Sequence, residues 1–173
     1  MVAILNPNSS KMTLDNVLVA PRNTGRGFAI KPSTGGTSEV TWLAGQIRID
    51  GVNFFALATE PVVLDFAFDS LSRGQVVYKL PDNNVYIYYY DPILVGYTSL
   101  LIGTGNEPAI CNDFGLLGGN TVLVYLISNI VKYRLQSDRY AVEYELSETP
   151  LTYIRRFGVQ LSTNSLAVLK TFP

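Results

Sequence analysis

Short apolar runs recur along the whole chain, broken every few residues by Gly, Pro, Asn or Asp. That punctuation, with alternating apolar and polar positions, is a strand pattern. It predicts strands near 2–5, 15–20, 26–31, 39–49, 52–58, 61–68, 75–80, 85–90, 93–102, 121–127, 140–146, 151–157 and 165–171. Residues 128–136 suit either a strand or a short helix, and 103–120, holding five of the fourteen glycines, reads as a long loop. No repeat of 20–50 residues is visible.

Three hairpins follow from the turn residues. Asp50-Gly51 is a type I′ pair between Gln46–Ile49 and Val52–Ala58. Ile47 and Ile49 then share one face, opposite Gln46 and Arg48. Trp42 has the other parity, which a bulge at Gly45 would correct. Pro81–Asn84 makes the second turn, pairing Leu80 with Val85, Tyr78 with Ile87 and Val76 with Tyr89 as a core face. Its reverse carries Tyr86, Tyr88 and Tyr90, an amphipathic stripe suited to a second layer or a partner. The third turns at Ser147–Pro150, joining 140–146 to 151–157 and setting Arg156 diagonal to Glu143. Arg155 falls on its apolar face opposite Val142, either as a strand-end residue reaching solvent or as a contact to another chain.

Composition supports the strand reading. Val (17), Ile (11) and Thr (13) outnumber Ala (10), Lys (5) and Glu (6), which would fill helices. The expected fold is all-β, a sandwich or jelly roll of two antiparallel sheets with little helix, in a single domain over 1–173. Only 16% of the residues are charged, where roughly 25% is usual. Lys and Arg are absent from 80 to 131, although Asp82, Asp91, Glu107 and Asp113 lie there. This asymmetry reads either as buried strands that lack cations or as a device that orients neighbours in an assembly.

The missing residue types narrow the chemistry. Without histidine there is no imidazole base, nucleophile pair or metal ligand. One cysteine, Cys111, allows neither an intrachain disulfide nor a thiolate zinc site, and reads as a small buried hydrophobe rather than a crosslink. A net charge of -1 disfavours nucleic-acid binding. Neither GxxxxGK[ST] nor GxGxxG occurs. The carboxylate pairs Glu143/Glu145 and Asp65/Asp69 invite an acid–base reading, but alternation puts the first pair on a solvated face. Turn chemistry accounts for Asp82-Asn83-Asn84 better than calcium does. Asn8-Ser9-Ser10 is a glycosylation sequon without other signs of secretion, and Met1–Leu5 lacks the features of a signal peptide. The uncharged run Phe114–Val131 is interrupted by Gly118, Gly119, Asn120, Ser128 and Asn129, and reads as a buried strand and turn rather than a spanning helix. The expectation is a non-enzyme with no catalytic residue, metal or cofactor.

Over its full length, from MVAILNPNSSKMTLDNVLVAPRN through VYIYYYDPILVGYTSLL to RRFGVQLSTNSLAVLKTFP, the chain resembles the small major capsid proteins of tailless, membrane-containing icosahedral double-stranded DNA phages of Thermus. The resemblance implies a single jelly roll standing in a capsid shell beside a larger capsid protein, over an internal viral membrane. It implies a virion protein made in the host cytoplasm, with no catalytic residues to carry over. Low charge departs from the ion-pair networks common in proteins from hot sources.

The expected partners are a second copy, the larger capsid protein and the internal membrane, with no specific nucleic acid. Candidate assembly residues are Val2, Ile4 and Leu5 at one terminus, Leu166, Val168 and Phe172 at the other, and Tyr86, Tyr88, Tyr90 and Arg155 between them. Either apolar terminus could join or exchange with a neighbour's sheet in a homodimer. The alternative is a glycan- or receptor-binding β-sandwich using the three tyrosines as a platform. A histidine-free carboxylate hydrolase is a third reading.

Overall fold

A computed structural model describes residues 2–3, 17–19, 26–30, 37–112, 120–128, 130–145, 153–161 and 164–172. The fold is all-β, with every strand pairing antiparallel. The described residues contain no α-helix, only a 3-10 turn at Gln136–Asp138.

Among the described residues, four four-stranded sheets form where two were expected. The first is a meander of β3 (Arg26–Ile30), β4 (Thr37–Leu43), β5 (Gln46–Ile49) and β6 (Val52–Ala56). The second runs β7 (Val63–Phe68), β8 (Gly74–Lys79), β9 (Asn84–Asp91) and β10 (Gly96–Thr104). The third runs β11 (Asn106–Asn112), β12 (Thr121–Ile127), β13 (Ile130–Leu135) and β14 (Tyr144–Glu145). The fourth joins distant parts of the chain, in the order β1 (Val2–Ala3), β16 (Asn164–Phe172), β15 (Tyr153–Leu161) and β2 (Val17–Val19).

The β7–β10 sheet is the middle layer of a stack. One of its faces meets the β3–β6 sheet through Val40, Ile47, Leu64, Phe66 and Val76. The other meets the β11–β14 sheet through Val77, Val85, Ile87, Leu123 and Tyr125. Covered on both faces, β8 is buried at all six positions, including Gln75 and Lys79. Lys79 keeps a polar partner by donating to Asn106 Oδ1 at 2.8 Å, as a buried ammonium requires. On the reverse face of β11, β12 and β13 lies a third cluster, Ala109, Cys111, Val122, Val124, Leu126 and Val131, and β15 runs close to β11.

The Asp50-Gly51 turn forms as expected, with φ of 51° and 80°, the left-handed pair of a type I′ hairpin. The strand expected over 39–49 is instead two strands. Ala44 and Gly45 also take positive φ, 50° and 79°, so Gly45 closes a second tight turn rather than a bulge. Trp42 pairs with Ile47 across it.

The second hairpin forms in a register one residue away from the expected one. Tyr78 pairs with Tyr86, Val77 with Ile87 and Val76 with Tyr88. Leu80 N donates to Asn84 O at 3.0 Å, so only Pro81, Asp82 and Asn83 make the loop, with Asn83 at φ 70°. A three-residue loop in place of a four-residue one shifts the pairing by one position, and every side-chain pair changes face.

The third expected hairpin does not form. β14 pairs with β13, while β15 pairs with β16 and β2. Glu145 finds Lys132 at 2.5 Å, and Glu143 finds Arg134 at 3.4 Å, so the expected Arg156 neighbour is replaced by cations of β13. The turn proposed at Ser147–Pro150 lies outside the described residues. Part of the long loop expected over 103–120 is the strand β11, and residues 113–119 are outside the described set. Pro108 sits in β11 where its pairing is irregular, beside Glu107 at φ 52°. An edge strand accepts proline at such a point. Residues 130–135 resolve the ambiguous segment as a strand.

Candidate assembly surface

Seven rings form a ladder where the middle sheet meets the β3–β6 sheet. Tyr78 stacks on Tyr86 with centroids 5.3 Å apart, and Tyr88 stacks on Tyr97 at 5.4 Å. From β6, Phe55 stacks on Tyr88 at 4.0 Å and Phe54 meets Tyr88 and Tyr97 edge-on. Tyr90 closes the ladder, edge-on to Tyr97, with the Arg73 guanidinium 4.3 Å above its centroid. Period-2 alternation along β9 places Tyr86, Tyr88 and Tyr90 together, and the β10 register adds Tyr97. Burial pushes the phenols of Tyr78, Tyr88 and Tyr97 up from their ordinary value.

The tyrosine stripe is therefore half-buried. The Tyr88 ring stacks on both Phe55 and Tyr97, so ring surface that a sugar platform would use is taken up within the chain. The uncovered part of this surface is β10, where Tyr97 and Leu101 are exposed.

Large apolar side chains also crowd one end of the stack. The β7–β8 and β9–β10 turns neighbour each other there, and the β5–β6 turn approaches through Ile49, which packs against Gly74. Val52, Leu71, Ile93, Leu94 and Val95 are all more than 60% exposed on these turns. Sequence reasoning missed this crown because 93–95 reads as strand. Its signal was the uncharged stretch Pro92–Asn106.

The carboxylates beneath the crown hold structure. Asp91 is fully buried and accepts from Arg139 Nε at 2.9 Å, and from the amides of Ile93 at 2.8 Å and Leu94 at 3.3 Å. Burial opposes the charged form of Asp91, yet these donors outweigh it and hold the carboxyl below its ordinary value. Asp69 accepts from the amides of Leu71 and Arg73, from Arg73 Nε at 2.7 Å and from Gln136 Nε2 at 3.1 Å. Gln136 Oε1 takes the Thr121 amide at 2.9 Å, and Gln75 Oε1 takes the hydroxyls of Thr121 and Tyr140. Asp65 accepts from the Ile110 amide at 2.9 Å. Asp65 and Asp69 thus serve two separate buried bonding sets. In the Asp82 turn, the carboxylate accepts from Asn84 N and Nδ2. Cys111 is buried, its thiol 3.8 Å from Val122 O.

The terminal candidates divide. Val2 lies on β1, whose partner is β16, with Val2 opposite Lys170. Leu166, Val168 and Phe172 lie on β16 opposite Val159, Phe157 and Tyr153, and Arg155 on β15 is opposite Lys170. Both termini therefore enter one sheet of the same chain. Ile4 and Leu5 lie outside the described residues. No group of His, Cys, Asp or Glu among the described residues is arranged to hold a metal ion, and no described helix is long and apolar enough to cross a membrane.

These features define an all-β, antiparallel protein of stacked sheets with an apolar end and an aromatic face. No family model and no curated protein matches the chain. Among solved structures it is similar to an auxiliary nutrient binding protein from Bacteroides ovatus ATCC 8483, at 9% identity over 85% of this chain and 48% of that one. The chain thus spans about half the length of that protein. The TM-score is 0.38, too low to establish a common fold.

Proposed function

We propose that this chain is a structural subunit of a viral shell, a coat protein that works by contact. In this reading it is a single jelly-roll component that associates with itself and with a larger capsid protein over an internal membrane. It carries no catalytic site or cofactor, and its place is the virion. The observation that carries the reading is the crown at Val52, Leu71, Ile93, Leu94 and Val95, exposed on a chain with only 16% charged residues. Contiguous exposed apolar surface marks a place to be covered. The full-length resemblance to Thermus phage coat proteins supplies the kind of assembly.

Light scattering after size exclusion tests the proposal. Concentration-dependent association is expected, and Ile93→Lys with Leu94→Lys should suppress it. A monodisperse monomer at high concentration overturns the reading. In virions, the chain is expected at the copy number of a shell component.

A further inference from the structure

Asp91 and Pro92 form the one Asp–Pro peptide bond in the sequence. Such a bond carries its own means of breaking. Proline makes the linkage a tertiary amide without an N–H, and the aspartate side chain sets a carboxylate nucleophile beside the carbonyl carbon. In acid, the prolyl nitrogen takes a proton and a carboxylate oxygen of Asp91 adds to the Asp91 backbone carbonyl carbon. The C–N bond breaks, its electron pair goes to nitrogen, and Pro92 leaves as a secondary amine. The cyclic anhydride left on Asp91 takes up one water and opens to two carboxyl groups. Water is the only co-reactant, and nothing is oxidised or reduced.

The two sides of this bond sit in unlike surroundings. Pro92 is exposed at the start of the β9–β10 turn, where acid reaches it from solvent, whereas the Asp91 side chain is wholly buried. Both carboxylate oxygens are occupied. Oδ1 accepts from the amides of Ile93 and Leu94, and Oδ2 accepts from Arg139 Nε at 2.9 Å and from the Tyr89 hydroxyl at 3.4 Å. Arg139 and Tyr89 are the titratable groups set against it among the described residues. An oxygen that turned to its own carbonyl carbon would leave these donors unpaired and buried, a cost that an exposed Asp–Pro bond lacks. We propose that Asp91–Pro92 is a self-cleavage site held shut by Arg139, which keeps the carboxylate on other partners until acid or heat opens the clamp. Position restrains the nucleophile, because the same contacts hold the carboxyl in its charged form. Cleavage cuts the crown turn and frees a new amino terminus beside Ile93, while β9 and β10 remain paired from Asp91 and Gly96 onward. This inference is independent of the shell proposal.

Because the nicked strands stay paired, the test is denaturing mass spectrometry of the full chain. The protein is held warm, below its melting temperature, at a pH just above the ordinary aspartate value of about 3.9. Fragments 1–91 and 92–173 are expected to form at least about tenfold more slowly from the folded wild type than from the same chain in guanidinium chloride, the effect of losing one charged hydrogen bond. Arg139→Gln, shown folded by circular dichroism, should cut at a rate close to that of the unfolded chain. Arg139→Lys, which keeps the charge without the planar guanidinium, should fall between. Adding Pro92→Ala to Arg139→Gln should abolish the fragments and so locate the chemistry. Phe66→Ala, weakened in the core with the clamp intact, should stay whole while folded, which separates the clamp from general stability. A folded wild type that cuts as fast as the unfolded chain overturns the proposal. So do folded Arg139 variants that cut no faster than the wild type.

Discussion

Arg139 Nε donates to Asp91 Oδ2 at 2.9 Å, joining positions 48 residues apart. The geometry depends on two successive left-handed residues, Arg139 at φ 61° and Tyr140 at φ 59°, which turn the chain back after the 3-10 turn. Tyr140 enters the core, fully buried, while Arg139 swings out to the carboxylate that also holds the amides of Ile93 and Leu94. The apolar turn at the crown is thereby anchored to the β11–β14 sheet.

Acid should loosen this anchor first. Because the folded Asp91 carboxyl lies below its ordinary value, its stabilisation is present above the unfolded pKa of about 3.9 and is lost as pH falls through the folded value. Melting temperature measured against pH should drop in that window for the wild type. Asp91→Asn should melt lower at neutral pH and show a shallower acid slope.

Tyr125 predicts the alkaline limb. Burial raises its phenol, Arg134 lowers it and the bond to Glu143 raises it again, for a value of about 12. A group raised this way stabilises the fold below about pH 10, and the contribution disappears as pH climbs through the folded value. Ultraviolet titration should show late-titrating phenols, among them fully buried Tyr140, with one fewer in Tyr125→Phe.

The buried polar network should be costly to break at one point. Thr121→Val keeps the shape but deprives Gln75 Oε1 and the Tyr140 hydroxyl of a partner. Urea unfolding should register a loss of about 1–3 kcal/mol.

Core truncation between the first two sheets should cost more. Phe66 is fully buried against Phe68, with centroids 4.9 Å apart, inside the cluster that joins β7 to β3, β4 and β5. Phe66→Ala should destabilise by about 3–5 kcal/mol in chemical denaturation.

The apolar terminal segments were legible as strands, but their value as dimer contacts depends on where their sheet lies. The ladder was partly legible: alternation places Tyr86, Tyr88 and Tyr90 on one face, yet nothing local to β9 specifies Phe54 and Phe55 as their cover. The residues predicted as the core face of the second hairpin, Val76, Tyr78, Val85, Ile87 and Tyr89, are all buried, but the shifted register splits them between the two faces of a sheet that is covered on both sides.

What the amino-acid sequence determined by itself is what short-range physics decides. Branched and aromatic residues between turn formers specify the all-β class, and Asp50-Gly51 specifies its own hairpin because the left-handed conformation is a property of those two residues. Tertiary structure decided the rest. Asn83 in the left-handed region moved the β8–β9 register by one, and β14 pairs with β13, where Tyr144 stacks on Tyr133 and Glu145 meets Lys132, instead of with β15. The stacking of sheets determined which of many apolar faces were covered and which, at Ile93–Val95 and along β10, were left open. Register and stacking are settled by long-range pairing and burial, which a local pattern of residues does not contain.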